Sequence, residues 1–231
     1  MNTIGIIGAM DEEVAFIKDV TEIVSAKNIL GLDFFVGKYG SNSIVIVKCG
    51  IGKVNAAACT QVMIDHFAVD CVINVGVAGA IFKDLKIGDV VISSDTVQHD
   101  MDTSSLGDPV GVIPRMDESF FKADEKLIEL AKNAGKQLEG HNVYVGRIAS
   151  GDQFISSTER KNYIWNTFKG YCAEMEGAAI AHVCYLNKIP FVIIRSISDN
   201  ADGEAGISYS EFIGTAVKNS SVILKDLLEN I

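Results

Sequence analysis

Short runs of β-branched and other apolar residues alternate along this chain with longer stretches in which apolar residues recur at helical spacing. Only three prolines interrupt the pattern, which is typical of a layered α/β domain. The short runs are almost continuously apolar, and this predicts strands buried on both faces, with helices packed above and below the sheet. The predicted strands are Ile4–Ile7, Ile44–Val47, Cys71–Val75, Val90–Ile92, Val143–Ile148 and Phe191–Ile197. The predicted helices are Glu12–Val20, Lys53–Phe67, Ala123–Leu138, Thr158–Phe168, Met175–Leu186 and Ser210–Leu228.

Two helix starts and one long loop carry more specific signals. Ser156 with Glu159, and Ser208 with Glu211, form capping-box patterns that predict a helix start at each serine. The stretch Gln98–Glu118 mixes Asp, Ser, Gly and Pro and shows no sustained period. A loop of this length inside a compact domain is usually functional or flexible.

Length and composition limit the class of protein. The chain has 231 residues, of which 48% are apolar and 22% charged, so we expect one core and a single domain over residues 1–231. Its formal net charge of -10 disfavours nucleic acid and anionic membrane surfaces as partners. Apolar runs such as Cys71–Val75 are far shorter than the roughly 20 residues that span a bilayer. The first residues lack the basic segment of a signal peptide, which predicts a cytoplasmic protein.

The cysteines and histidines do not form a metal-site pattern. Five cysteines are widely spaced and mostly set in apolar stretches, which is typical of reduced intracellular cysteines in a core. The sequence has no Cys-x-x-Cys pair, and its four histidines are scattered. We therefore expect neither a metal nor a cofactor.

Two glycine clusters follow predicted strands without completing a nucleotide-binding motif. Gly50–Lys53 ends in Gly-Lys, but Val47 and Val54 stand where a phosphate loop needs glycine and a hydroxyl residue. Gly76–Gly79 has Asn74 where the first glycine of a dinucleotide fingerprint belongs. The clusters either let the backbone come close to a ligand or form tight turns with no ligand.

Acidic residues follow several predicted strands. They are Asp11–Glu13, Asp100 and Asp102, Glu174–Glu176, and Asp199. In open α/β sheets the ligand crevice lies at the carboxyl ends of the strands, so these side chains are expected to converge there. The alternative, for each one alone, is a favourable contact with the dipole of a helix start.

Five segments together carry a family resemblance. In their order and spacing they resemble the 5′-methylthioadenosine/S-adenosylhomocysteine nucleosidases of the nucleoside phosphorylase fold family, and the likeness runs nearly from end to end. The segments are Gly5–Glu13, Gly50–Val54, Ser150–Ile155, Glu174–Ala178 and Arg195–Asp202. The resemblance implies a three-layer α/β fold with a mixed central β-sheet flanked by helices. It also implies hydrolysis of the bond between adenine and ribose in a small purine nucleoside.

Hydrolysis of this bond makes demands that the implied residues meet. The leaving base must be protonated, the oxocarbenium-like ribosyl centre stabilised, and a water placed at the anomeric carbon. The resemblance implies that Glu13 activates the water, with Arg195 nearby, whereas Asp199 protonates N7 of adenine and Ser198 helps to orient it. Two carboxyl groups with separated pKa values suit these opposite roles.

The resemblance also implies how the nucleoside is held. Phe154 would stack on adenine, and the backbone of Ile155 would bind its N1 and N6 edge. Glu176 would hold the ribose 2′- and 3′-hydroxyls, with Met175 against the sugar. Further residues expected in the pocket wall are Met10, Ile51, Ala78, Gly79 and Tyr209.

In family members a neighbouring subunit also meets the 5′ group of the nucleoside. The corresponding loop here is Gln98–Pro114, notably Leu106 and Pro114, and this predicts a homodimer. Leu106 replaces a phenylalanine of some relatives, and Val77 replaces a serine of many. We expect these departures to change the shape of the 5′ pocket and the rate, and to leave the reaction the same.

The implied substrates are 5′-methylthioadenosine, S-adenosylhomocysteine and 5′-deoxyadenosine, in methionine salvage and in removal of S-adenosylmethionine by-products. Three alternatives stay open. A phosphorylase of the same fold would bind phosphate, which the segment Asp11–Glu13 disfavours by of order 1 to 4 kcal/mol for each unit-charge pair about 4 Å apart. A hydrolase of 6-amino-6-deoxyfutalosine, a menaquinone precursor, would need an open 5′ side. A nucleoside-binding protein without catalysis would not need both Glu13 and Asp199.

Overall fold

The computed structural model describes residues 3–200 and 205–231, with side chains described from residue 211 onward in the second range. Ten strands and six α-helices occur in these ranges. The strands are β1 (Thr3–Gly8), β2 (Glu22–Ile29), β3 (Leu32–Tyr39), β4 (Asn42–Lys48), β5 (Cys71–Ala80), β6 (Val90–Gln98), β7 (Phe120–Lys122), β8 (Val143–Ser150), β9 (Gly170–Glu174) and β10 (Phe191–Asp199). The helices are α1 (Asp11–Val20), α2 (Lys53–Phe67), α3 (Glu125–Ala134), α4 (Thr158–Phe168), α5 (Gly177–Asn187) and α6 (Ala205–Asn230). Two short 3-10 turns lie at Ser104–Leu106 and Gly135–Gln137.

The ten strands form one mixed sheet, part of which closes on itself. Their order is β10-β6-β8-β9-β5-β1-β4-β3-β2, with β7 beside β6. Because β10 also pairs in parallel with β5, the strands β10, β6, β8, β9 and β5 form a closed ring, and the other strands extend from it. β1 lies parallel to both β4 and β5. The carboxyl ends of β1, β5 and β10 therefore lie together, where α/β sheets commonly bind ligands.

Helices cover both faces of the sheet. Helices α2 and α5 pack together over a core that includes Met63 and Ile180, while α1, α3 and α6 cover a second core on the other face. Along β10, Ile193 belongs to the first core and Val192 and Ile194 to the second, as expected when successive strand residues point to opposite faces. The structure thus confirms the mixed central sheet flanked by helices.

The predicted elements are present, and four strands were not predicted. Helices α2 and α4 have the predicted bounds, and the other predicted strands and helices differ at their ends. The missed strands are β2, β3, β7 and β9. Strand β2 is exposed over almost its whole length, so it lacks an apolar pattern, and β7 and β9 have only three and five residues.

Both predicted capping boxes are wrong. Helix α4 is capped by Ser157, whose hydroxyl accepts a hydrogen bond from Arg160 N at 3.2 Å, and not by Ser156. Helix α6 begins at Ala205, so Ser208 lies inside the helix, and its side chain is outside the described residues. A four-residue capping pattern does not distinguish a helix start from a neighbouring position of the first turn.

The cysteines fit the prediction of core residues. All five are free and buried, and burial raises the pKa of the Cys59 thiol to about 12, which keeps it protonated at neutral pH. Within residues 3–200 and 205–231, no helix combines the length and apolar character that crossing a bilayer requires. In the same ranges, no group of three or more His, Cys, Asp or Glu residues is placed to hold a metal ion.

Candidate active site

A cavity of about 340 Å³ lies at the carboxyl ends of β1, β5, β9 and β10. Its lining includes four acidic residues, Glu13, Glu174, Glu176 and Asp199. A larger groove of about 880 Å³, between the end of α5 and the start of β10, contains none of these four residues, so we take the smaller cavity as the candidate active site. The other predicted site residues that line it are Met10, Ile51, Ala78, Gly79, Phe154, Met175 and Ser198.

The remaining predicted site residues lie elsewhere. Ile155 is buried in an apolar cluster with α4, and the buried Arg195 lies behind the cavity wall. Neither Leu106, which is 81% exposed, nor Pro114 lines the cavity of its own chain. Their predicted place is against the cavity of a partner subunit. The side chain of Tyr209 lies outside the described residues.

The predicted convergence of acidic residues is only partly observed. Asp11 and Glu12 are exposed and do not line the cavity, and Asp11 instead pairs with Lys48 at 2.7 Å. Asp100 and Asp102 also lie outside the cavity lining. The prediction was wrong for these four residues because successive side chains of a helical turn or a loop point in different directions.

Backbone amides of β5 and of the two residues that follow β1 hold the Glu13 carboxylate in place. One oxygen, Oε2, accepts hydrogen bonds from Ala9 N at 2.6 Å and Met10 N at 3.1 Å. The other, Oε1, accepts from Val77 N at 3.1 Å. Burial raises the pKa of Glu13 above its ordinary value, although the charge of Arg195 and the three amides oppose this shift. A carboxylate with a raised pKa and a fixed orientation is suited to accept a proton.

Gly76 on β5 allows Glu13 and Arg195 to approach each other. A Cβ atom at this position would lie 2.6 Å from Glu13 Oε1 and 3.1 Å from Arg195 Nη1. A contact of 2.6 Å between a carbon and a carboxylate oxygen is too short, so a side chain here would displace one of the two charged groups. Glycine is therefore needed here because the charged groups pack closely. It is not needed for backbone conformation, since its φ is not in the left-handed region.

Arg195 is the buried cation behind the cavity. It is 2% exposed, and its Nη2 lies 2.5 Å from both Glu174 Oε2 and Asn74 Oδ1. Glu176 Oε2 is 4.0 Å from the same nitrogen. Asn74 in turn donates to Ile7 O at 2.8 Å, which joins β1, β5 and β10. The guanidinium thus balances part of the negative charge of the cavity, and its position is fixed by three strands.

Glu174 connects this arginine to the start of α5. Its carboxylate accepts hydrogen bonds from the amides of Glu176, at 3.1 Å, and Gly177, at 2.8 Å, and from the hydroxyl of Ser150. Ser150 Oγ accepts from Ala178 N at 2.7 Å. These contacts satisfy free amides at the helix start. They also fix the backbone that carries Glu176 into the cavity.

Glu176 has an environment that favours its protonated form. It is 6% exposed, and its Oε1 accepts a hydrogen bond from Gly52 N at 2.8 Å. Burial and the neighbouring charge of Glu174 raise its pKa to about 7, against the opposing effect of Arg195. Glu176 therefore titrates near neutral pH, in a position where its oxygens can bind hydroxyl groups of a ligand.

Asp199 reaches the cavity through an irregularity at the end of β10. The register with β5 shifts between Ile197, which pairs with Ala78, and Asp199, which pairs with Gly79. Such a bulge redirects the following side chain. Ser198 Oγ donates to Asp199 Oδ1 at 2.9 Å, as expected if the serine orients the carboxyl group.

Two buried polar residues were not assigned a role from the sequence. Glu174 appeared only as one of several acidic residues after strands, and Asn74 only as a departure from a glycine motif. Both prove to hold Arg195. The sequence did contain a signal for Asn74. An asparagine inside the apolar run Cys71–Val75 indicates a buried amide, and a buried amide needs a polar partner.

Replacement of Arg195 by methionine is expected to lower the free energy of unfolding by roughly 3 kcal/mol, because it leaves Glu174 buried without its cation. Urea unfolding at neutral pH measures the loss. Arg147 provides a control, since its ion pair with Asp95 at 2.6 Å is partly exposed. Arg147→Met should cost roughly 1 kcal/mol. Equal losses for the two variants would contradict the importance assigned to burial.

The chain matches known proteins over nearly its whole length. The family model of the phosphorylase superfamily matches residues 3–229. The chain is 42% identical over 224 residues to the 5′-methylthioadenosine/S-adenosylhomocysteine nucleosidase of Geobacillus kaustophilus (strain HTA426), covering 96% of this chain and 95% of that protein. The crystal structure of the nucleosidase of the same name from Neisseria meningitidis, in complex with methylthio-immucillin-A, matches with a TM-score of 0.96 at 40% identity, over 100% of both chains. The native structure of futalosine hydrolase of Helicobacter pylori strain 26695 matches with a TM-score of 0.94 at 38% identity, over 100% of this chain and 98% of that one.

Proposed function

The chain belongs to the phosphorylase superfamily, among its 5′-methylthioadenosine/S-adenosylhomocysteine nucleosidases, and from this we propose how its cavity carries out the reaction. The protein is an N-glycosyl hydrolase. It cleaves the bond between adenine and ribose in 5′-methylthioadenosine and S-adenosylhomocysteine, and its products are adenine and the 5′-substituted ribose. Methionine salvage and removal of S-adenosylmethionine by-products are the processes that need this reaction.

In the proposed reaction Glu13 acts as the base and Asp199 as the acid. A water bound to Glu13 attacks the anomeric carbon and gives one proton to the Glu13 carboxylate. The bond from that carbon to N9 of adenine breaks, and its electron pair stays with the purine, which Asp199 protonates at N7. Arg195 lies close to Glu13 across Gly76 and stabilises the ionised base before the attack.

Other residues of the cavity hold the nucleoside. Glu176 binds the ribose 2′- and 3′-hydroxyls, and Met175 packs against the sugar. Phe154, which is 53% exposed at the cavity, stacks on adenine, and the backbone of Ile155 binds the adenine edge. Val77 contributes only its amide to Glu13, so a hydroxyl that many relatives have beside the water is lacking.

The observation that carries this proposal is that two buried carboxyl groups with different surroundings line one cavity. Glu13 is 6% exposed and held by three backbone amides near a guanidinium. Asp199 is 1% exposed and lies beside a serine hydroxyl. Two carboxyl groups that face one ligand from different surroundings can take the opposite roles of base and acid.

A partner subunit and the site of action in the cell complete the proposal. We propose a cytoplasmic homodimer in which Leu106 and Pro114 of each subunit cover the 5′ side of the other cavity. Large apolar side chains that are more than half exposed support this: Ile51 at 55%, Phe154 at 53% and Leu106 at 81%. A neighbouring subunit would remove such a patch from water.

Phosphorolysis has less support than hydrolysis. Arg195 is the buried cation behind the cavity, and Glu174 and Asn74 already hold its guanidinium. An incoming phosphate would therefore meet the Glu13 carboxylate beside a cation that is already paired. Hydrolysis of 6-amino-6-deoxyfutalosine keeps specific support, because the chain is similar to futalosine hydrolase of Helicobacter pylori.

Release of free adenine tests the proposed function. Purified protein should release adenine from 5′-methylthioadenosine and S-adenosylhomocysteine in phosphate-free buffer, at a rate unchanged by added phosphate. Turnover that depends on phosphate and yields a ribose 1-phosphate would contradict hydrolysis. The same assay with 6-amino-6-deoxyfutalosine, alone and in competition, measures the preference among the three substrates.

A further inference from the structure

Three charged residues outside the cavity form a closed set of hydrogen bonds. Lys53 Nζ donates to Asp100 Oδ1 at 2.6 Å. The other oxygen of Asp100 accepts from Asp152 N at 2.9 Å, and Asp152 Oδ1 accepts from Lys53 N at 2.8 Å. Each residue thus contacts both others, and we call this set the polar ring.

The polar ring joins the start of α2 to the segments that follow β6 and β8. Lys53 is the first residue of α2, Asp100 follows β6, and Asp152 follows β8. Strands β6 and β8 are parallel neighbours, with Gln98 opposite Ser150, which brings their ends together. Lys53 Nζ also donates to Gln98 Oε1 at 3.1 Å. The ring therefore sets the position of the start of α2 relative to the two strand ends.

Two of the three residues of the ring lie next to a nucleoside-binding element. The residue before Lys53 is Gly52, whose amide donates to Glu176 Oε1 at 2.8 Å. Two residues after Asp152 is Phe154, which lines the cavity. The ring thus lies between the group proposed to bind ribose and the group proposed to stack on adenine.

The Lys53–Asp100 pair is better protected from water than the other lysine ion pairs described. The Lys53 and Asp100 side chains are 17% and 15% exposed, compared with 47% and 75% for Lys48 and Asp11. Burial alone would raise the pKa of Asp100, but the hydrogen bonds from Lys53 and the Asp152 amide lower it. The carboxylate therefore stays ionised at neutral pH and holds both partners.

We propose that the polar ring is a positioning device of the nucleoside pocket, which keeps the ribose-binding and adenine-binding segments at a fixed separation. This inference rests on the proposed function. None of the three residues lines the cavity, so they act through Gly52 and Phe154 and not on the reacting atoms. Opening the ring should weaken binding of substrate and transition state alike, which raises KM and leaves kcat nearly unchanged.

Lys53→Met tests the ring, because it removes the ammonium and keeps a side chain of similar length. We expect KM for 5′-methylthioadenosine to rise about tenfold and kcat to stay within about twofold. Lys132→Met is the matched control, since Lys132 forms an exposed ion pair with Glu129 on α3, and it should leave both constants unchanged. Lys53→Arg, which retains a cation, should recover most of the lost affinity.

A second variant tests whether the three residues act together as a ring. Asp152→Ala removes the acceptor for Lys53 N at an exposed position and should raise KM to a similar extent. The double variant Lys53→Met/Asp152→Ala should have a KM no higher than that of either single variant, because loss of one hydrogen bond already opens the ring. Multiplied effects, or a lower kcat at unchanged KM, would overturn the proposal.

Equilibrium dialysis with free adenine gives a readout that needs no turnover. Adenine would contact the Phe154 side of the cavity, to which Lys53 is linked through Asp152. Lys53→Met should weaken adenine binding about fivefold. If Lys53→Met leaves the affinity for adenine unchanged, or lowers only the Tm, the proposed role of the ring is wrong. If the unaltered protein binds adenine but releases none from the three nucleosides, the proposed function fails while the dialysis still tests the ring.

Discussion

Replacement of Glu13 by glutamine is expected to lower the rate of adenine release about 10³-fold while the protein still binds the nucleoside. The amide cannot accept the proton of the attacking water. It also disturbs the local hydrogen bonds, because both oxygens of Glu13 accept from backbone N–H groups. A glutamine has only one acceptor oxygen, so its NH2 group must face a donor. Single-turnover release of adenine at saturating 5′-methylthioadenosine measures the loss.

Glu12 supplies a close control for this experiment. It belongs to the same turn of α1 but is exposed and does not line the cavity. Glu12→Gln makes the same chemical change and should keep the rate of the unaltered protein. The KM of Glu13→Gln, or direct binding of a non-cleavable analogue, shows whether the pocket is intact. Turnover by Glu13→Gln within a few-fold of the unaltered protein would refute the role of Glu13.

The alternation of apolar runs and helical stretches was enough to predict the layers of this fold. Strand β10 is buried along all nine residues, and such continuous burial leaves a sequence pattern that can be read locally. Strand β2 leaves none, since its residues are almost all exposed and it is held at the sheet edge only by β3. The closed ring of strands depends on β10 pairing with both β5 and β6. Pairing between segments so distant in sequence is not encoded in any local period.

The cavity was predictable to the extent that its residues follow strands. Glu13 and Glu176 follow a strand end, Asp199 is the last residue of β10, and all three line the cavity. The sequence did not show which carboxyl group pairs with Arg195, because tertiary contacts decide this. Arg195 bonds to Glu174, while Glu13 bonds to backbone amides. Local spacing fixed where carboxyl groups occur, and the packing of β1, β5 and β10 decided which of them shares the buried cation.

Replacement of Asp199 by asparagine is expected to lower adenine release about 10³-fold, for a reason different from that at Glu13. Asparagine has no proton to give to N7, so adenine must leave as an anion. The hydrogen bond that Ser198 Oγ donates to Oδ1 at 2.9 Å can be kept by the amide oxygen. The loss therefore measures proton donation more than orientation. Ser198→Ala removes only the orienting contact and should cost about tenfold.

A substrate with a better leaving group separates the acid from the base. A 5′-methylthioriboside of 4-nitrophenol releases a stable anion, so its cleavage does not require a proton from Asp199. Asp199→Asn should cleave this riboside at nearly the rate of the unaltered protein, whereas Glu13→Gln should stay slow, because the attacking water still needs its base. If Asp199→Asn is equally slow on both substrates, Asp199 is not the acid. The two carboxyl groups line one cavity with different partners, and opposite responses to the leaving group would assign the acid to one and the base to the other.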